Sequence, residues 1–226
     1  MAAITSNLAE ICRLLGRLTE AETLYREAIA VLERVLGTEH PDLGVALNNL
    51  AAVYQDQQRY SAAEPLYRRA LGIEERAFGQ NHPGVATMTN NLGSLYLYQK
   101  QYDQAAPLLL RALSIREKLL GPEHPDVANV LHNLAKVYFL KHRHAEADSL
   151  YSRAVAIREK SLGPNHPDLA YTLGAYALLL QKTKRKSEAA AMNVRVKQIL
   201  ARNSAATSAH QTVDVRDLDR GKTWKE

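Results

Sequence analysis

One spacing governs this chain. The dipeptides His40-Pro41, His82-Pro83, His124-Pro125 and His166-Pro167 stand 42 residues apart, and Gly37, Gly79, Gly121 and Gly163 keep the same interval. Two alanine columns share it: Ala21, Ala63, Ala105, Ala147 and Ala189, then Ala28, Ala70, Ala112 and Ala154. All eight prolines obey the pattern, four in His-Pro, Pro122 and Pro164 in Gly-Pro, and Pro65 and Pro107 one period apart. Self-similarity at such a period marks architectures in which each unit packs only on its neighbours. A length of 226 residues alone suggests one or two globular domains. The period requires a stack of like units instead.

Each unit reads as two helices. Over 42–57, Leu47, Leu50, Ala51 and Tyr54 fall on one helical face, with Asp42 as the expected N-cap. Over 61–78 the pattern recurs through Ala63, Leu66, Tyr67, Ala70, Ile73 and Ala77. Ser61 with Glu64, and Thr19 with Glu22, have the capping-box spacing. Gly79 is expected as a left-handed C-cap, and Pro83 forbids continuation. First helices are expected near 3–16, 42–57, 84–99, 126–141 and 168–182, and second helices near 20–36, 61–78, 103–120, 145–162 and 187–202. The fold class is therefore all-α, an α-solenoid of stacked antiparallel helix pairs, with units at 1–41, 42–83, 84–125, 126–167 and 168–202. Residues 203–226 lack periodicity and are expected to form a disordered tail. The alanines let helices approach closely, and Tyr54, Tyr96, Tyr138 and Tyr25, Tyr67, Tyr151 fill the space beside them. That explains eleven tyrosines against two phenylalanines.

The set Leu50-Ala51, Tyr54, Tyr60, Ala63, Leu66-Tyr67 and Ala70-Leu71 resembles the tetratricopeptide repeat, whose usual period is about 34 residues. The longer unit here ends in Leu120-Gly121-Pro122-Glu123-His124-Pro125-Asp126 and is similar to the kinesin light chain type of repeat. The resemblance spans about 3–202. It implies a non-catalytic protein-interaction scaffold whose first helices line a concave groove, with an asparagine column contacting extended peptides. A fold resemblance does not itself name a partner.

Other classes are disfavoured by the residues. The single cysteine, Cys12, excludes internal disulfides and thiolate metal sites, and its place in the tyrosine column makes it a core thiol. No apolar run reaches the roughly 18 residues of a membrane span, and Glu10 and Arg13 interrupt any signal-like N-terminus. A soluble, cytoplasmic protein is expected. The motifs G-x-x-x-x-G-K-[ST], G-x-G-x-x-G and H-E-x-x-H are absent. Histidines of successive His-Pro pairs would lie about 10 Å apart, too far for shared metal coordination at about 2.1 Å. No enzyme activity, cofactor or metal is expected. The net charge of +5 concentrates at Lys182, Lys184, Arg185 and Lys186, a run without interleaved aromatics, which argues against nucleic acid. That polar last unit suits a solenoid cap. The first unit has none, so self-association through it, a structural self-assembling solenoid, or a fragment of a longer array are the alternatives.

First helices carry a second stripe: Ser6 and Asn7, Asn48 and Asn49, Asn90 and Asn91, His132 and Asn133. Asparagine is a mediocre helix former, so this column needs a reason. Its amides could bond an extended peptide backbone or a neighbouring helix. Along the same face Gln55 and Asp56 give way to Leu97 and Tyr98, then to Phe139 and Leu140, while Ala52 and Ser94 give way to Lys136 and Leu178. The expected ligand is an extended peptide with an apolar anchor near Phe139, Tyr171 and Leu178 and an acidic residue near Lys136 or Lys182. Alternatively, Leu97, Phe139 and Leu140 pack against the next repeat. A lysine–asparagine clamp for chaperone C-termini is not matched, because the first unit supplies no lysine. The alternating segment 212–218 could lie extended in a groove, but Lys222 and Lys225 flank Trp224 and oppose self-docking.

Overall fold

The computed structural model describes residues 2–211, with side chains over 4–203. The helices are α1 Ala2–Leu14, α2 Leu18–Leu36, α3 Pro41–Asp56, α4 Tyr60–Phe78, α5 Pro83–Tyr98, α6 Tyr102–Leu120, α7 Pro125–Leu140, α8 His144–Leu162, α9 Pro167–Lys182 and α10 Lys186–Gln211. No strand occurs among the described residues. Each odd-numbered helix packs on the even-numbered helix that follows it, and each pair packs on the next. The backbones of odd helices also approach one another across repeats, whereas among the described residues even helices meet across repeats only through long side chains. The stack therefore curves with α1, α3, α5, α7 and α9 on its concave side, the geometry of an α-solenoid.

The His-Pro signal works differently from the expectation. The N-cap of α3 is His40, not Asp42: its backbone is extended, and its Nδ1 accepts the Asp42 N–H at 3.2 Å. His82, His124 and His166 do the same for Gly84, Asp126 and Asp168. Proline then sits at the first helical position, where a missing N–H costs nothing. The expected capping boxes do not form. The chain enters α2 and α4 through Arg17 and Arg59, which make no side-chain cap bond. Glu22 and Glu64 instead accept hydrogen bonds from the Tyr54 and Tyr96 hydroxyls of the following odd helix, at 3.2 and 2.8 Å. Tertiary contacts outcompete the local cap.

Gly79 has φ 77° and ψ 173°, so it occupies the extended positive-φ region open essentially to glycine alone, not the left-handed helical one. Its N–H closes α4 on Glu75 O at 3.0 Å. At α10 this stop is missing, because Ala205, Ser208 and Ala209 stand where the repeat has glycine, histidine and proline. The helix accordingly runs to Gln211 and not to 202. Segment 212–218 and Trp224 lie outside the described residues.

The alanine and tyrosine columns form the core. Ala21, Ala63, Ala105 and Ala147 are wholly buried, as are Tyr25, Tyr67 and Tyr151 or nearly so, and Cys12 lies with them. Close approach is the consequence: a methyl group placed on Gly93 would stand 2.9 Å from Leu109 Cγ. On the convex side Arg69, Arg111, Arg153 and Arg195 pair with Glu33, Glu75, Glu117 and Glu159 of the preceding repeat. These bridges are half-exposed, so each contributes less than about 1 kcal/mol.

Turns within a pair all use one left-handed residue. Gln58, Lys100, His142 and Lys184 have φ near 60°, and Gly16 serves in the first turn. The next N–H reaches back, as Arg59 N does to Tyr54 O at 2.8 Å, which is a Schellman closure. A left-handed L residue costs roughly 1–2 kcal/mol, and glycine recovers part of this after its own entropy loss. Gln58→Gly and Lys100→Gly should each stabilise the fold by about 0.5–1 kcal/mol; thermal unfolding midpoints check this, and lowered midpoints in both would contradict it.

Candidate functional site

The asparagine stripe forms a hydrogen-bonded chain along the concave side. Asn133 Nδ2 donates to Asn90 Oδ1 at 3.2 Å, Asn90 Nδ2 to Asn91 Oδ1 at 3.3 Å, Asn91 Nδ2 to Asn48 Oδ1 at 3.1 Å, and Asn48 Nδ2 to Asn49 Oδ1 at 3.1 Å. The amides thus tie three consecutive odd helices together, which is the neighbouring-helix role. Each amide has a second N–H and each carbonyl a second lone pair, so the chain retains hydrogen-bonding capacity toward the groove. Only Asn48 is fully buried; Asn49, Asn90, Asn91 and Asn133 are half-buried. Asn7 stands apart, exposed, beside a shallow pocket of about 240 Å³ with Ser6, Asp42 and Asn49.

The chain stops where the repeat lapses. In α9 the asparagine pair is replaced by Gly174 and Ala175, and a Cβ on Gly174 would meet nothing within 4 Å. The vacated space opens into a cleft of about 620 Å³. His132, Lys136, Phe139, Tyr171 and Leu178 line it, so the structure brings five of the expected groove residues to one place. Tyr171 and Leu178 are more than half exposed, which leaves apolar surface free in the cleft.

Polar features of the cleft are few and placed. His132 is buried, stacks on Tyr171 with ring centroids 4.5 Å apart, and meets the edge of Tyr151 at 5.7 Å. Its Nδ1 has no hydrogen-bond partner among the described residues. Burial, with Arg158 and Lys136 nearby, pushes its imidazole down to about 3, so it is neutral at physiological pH. Lys136 holds its Nζ 5.2 Å from the centre of the Tyr98 ring, which itself stacks on Tyr60 at 6.3 Å. Ser94 is half-buried one turn beyond Asn90. Lys182 is exposed one turn past Leu178 and does not line the cleft. Leu97 is buried, in agreement with the alternative that it packs on a neighbour, whereas Phe139 and Leu140 wall the cleft.

Sequence reasoning missed Tyr151, Gly174, Val196 and Leu200, all of which line the cleft. A signal existed for two of them. Gly174 breaks a column of Asn48, Asn90 and His132, and Leu200 breaks a column of Glu74, Arg116 and Arg158.

The helix pairs and their recurring columns place the molecule among known proteins. The tetratricopeptide repeat profile matches residues 1–76, 42–118, 84–160 and 126–201, so the chain belongs to the tetratricopeptide repeat family. Repeats of this family generally act as non-catalytic scaffolds for protein–protein interaction. Among solved structures, a putative kinesin light chain with nearly identical repeats from Podosopora anserina is 26% identical, with a TM-score of 0.71 over 89% of this chain and 95% of that one. BtubC (BKLC) from P. vanneervenii is 28% identical, with a TM-score of 0.74 over 88% and 80%. PilF of Pseudomonas aeruginosa, at 23% identity and a TM-score of 0.63 over 87% and 75%, shares the fold. No curated protein sequence matches. No helix among the described residues is long and apolar enough to cross a membrane.

The buried histidine gives a pH signature. Below about 6.5 the unfolded chain binds a proton that folded His132 resists until about pH 3, so this group lowers stability progressively as pH falls through that window. Relative to His132→Asn, the native chain should lose up to about 1.4 kcal/mol more stability per pH unit across it. Urea unfolding at several pH values checks this; parallel profiles would contradict it.

Proposed function

We propose that this chain is a non-catalytic interaction scaffold that binds an extended peptide segment of a partner protein along its concave side. The observation carrying this reading is the cleft itself, in which half-exposed apolar side chains from α7, α9 and α10 surround space left by a lapse in the repeat. An apolar side chain of the partner enters among Phe139, Tyr171 and Leu178, where burying it contributes about 1.5–3 kcal/mol. Lys136 at the rim, and Lys182 beyond it, favour an acidic residue next to that anchor. The amide chain from Asn48 to Asn133 offers spare donors and acceptors to the peptide backbone, with Ser94 and Tyr98 beside it. A single buried cysteine fits action in the cytoplasm.

Selection from a displayed random-peptide library tests the reading. The native chain should enrich peptides with an apolar residue beside an acidic one, and Leu178→Asp should weaken their binding at least about tenfold, equivalent to roughly 1.4 kcal/mol. Lys136→Glu should weaken acidic peptides more than neutral ones. Equal binding to native and Leu178→Asp chains, with circular dichroism unchanged, would remove the cleft from the account.

A further inference from the structure

We infer that copies of this chain stack end to end, the exposed face of α1 in one copy docking on the α9–α10 end of another. The inference does not rest on the peptide-binding reading. Along α1, Ile4, Leu8 and Ile11 follow one helical face and are 74%, 48% and 53% exposed. One period on, the same columns hold Ala46, Leu50 and Val53, then Met88, Leu92 and Leu95, then Val130, Leu134 and Val137, and every one of these is buried. The opposite face of α1 is ordinary: Ala9 and Cys12 are buried on α2, as Ala51 and Tyr54 are on α4. The exposed columns are therefore those that a preceding helix pair covers, and a contiguous apolar stripe of this kind marks an interaction surface.

The matching surface lies at the other end of the same molecule. In α2, α4, α6 and α8 the columns Ala28, Ala70, Ala112, Ala154 and Leu32, Glu74, Arg116, Arg158 are buried under the next odd helix. In α10 these columns hold Val196, half-buried, and Leu200, 54% exposed. Joining α1 to α10 repeats an interface that the chain already builds four times within itself, between α2 and α3, α4 and α5, α6 and α7, and α8 and α9. Such a contact is heterologous, so it leaves a free end on each side and propagates rather than closing.

The joint differs from the internal interfaces in one respect. Neither polar ladder has a counterpart there: Gly174 and Ala175 replace the asparagines, Ala201 stands in the column of Glu33, and Glu27 in the column of Arg69. The contact is apolar, so added salt does not dissociate it. Val196 and Leu200 also wall the cleft, so stacking and ligand uptake draw on one surface.

Sedimentation velocity over a wide concentration range tests this. The native chain should show a weight-average mass that rises with concentration and persists in high salt. Leu8→Asp with Ile11→Asp should abolish the rise, and so should Leu200→Asp; both sites are exposed, and circular dichroism confirms folding. Mixing the two variants should restore a dimer and nothing larger, because one retains an intact α10 end and the other an intact α1 face. A native chain that stays monomeric, a Leu200→Asp variant that associates like the native chain, or a mixture that stays monomeric would each overturn the inference.

Discussion

Contact between each helix pair and the next is the constraint on which this molecule depends. No pair can bury its apolar faces alone, and among the described residues no helix packs beyond the neighbouring repeat. Alanine columns set the distance between helices, and tyrosines fill the gaps and carry hydroxyls out to charged partners such as Glu22 and Glu64. Stability in such a stack is close to a sum of unit and interface contributions. A substitution in one repeat therefore acts locally, and a departure from the column creates a local feature without unravelling the whole.

That property accounts for the candidate site. The concave side is uniform over three repeats, where asparagines bond one another in a continuous chain. It changes at the fifth unit, where Gly174 and Ala175 leave His132 without an amide opposite. The result is an apolar cleft holding a neutral imidazole, with one lysine at its rim. Selectivity in a repeat protein arises in this way: the shared columns supply a frame, and the deviations supply the chemistry. The convex side shows the contrary behaviour, because its arginine–glutamate pairs recur in every interface and distinguish no part of the surface.

Much of this was legible in the residues. The 42-residue period, the two helices per unit and the alanine and tyrosine core all follow from spacing. The cluster of Phe139, Tyr171 and Leu178 was legible too, since a helical stripe fixes which residues share a face. Local caps were not legible. Histidine accepting an N–H through Nδ1 is a rarer cap than aspartate, and Glu22 and Glu64 were drawn away by tyrosines that come close only in the folded stack. The role of the asparagines was open in the sequence because an amide suits a ligand or a neighbour equally, and only the register of α3, α5 and α7 places Asn91 beside Asn48. The contribution of α10 to the cleft was only half legible: Leu200 departs from the charged column of Glu74, Arg116 and Arg158, but its approach to α7, with Val196, comes from the superhelix. The overrun of α10 was recoverable, because alanine at 205 removes the glycine stop.

In the proposed reading, the fifth-repeat cleft and the asparagine chain form one continuous binding surface. Side-chain amide and methyl NMR spectra during titration with a peptide selected by the native chain test this most directly. The Asn91 and Asn133 amide signals should shift together with those of Leu178, at one common dissociation constant. Shifts confined to the outer faces of α4, α6 and α8, with Leu178 and the asparagines unmoved, would contradict it.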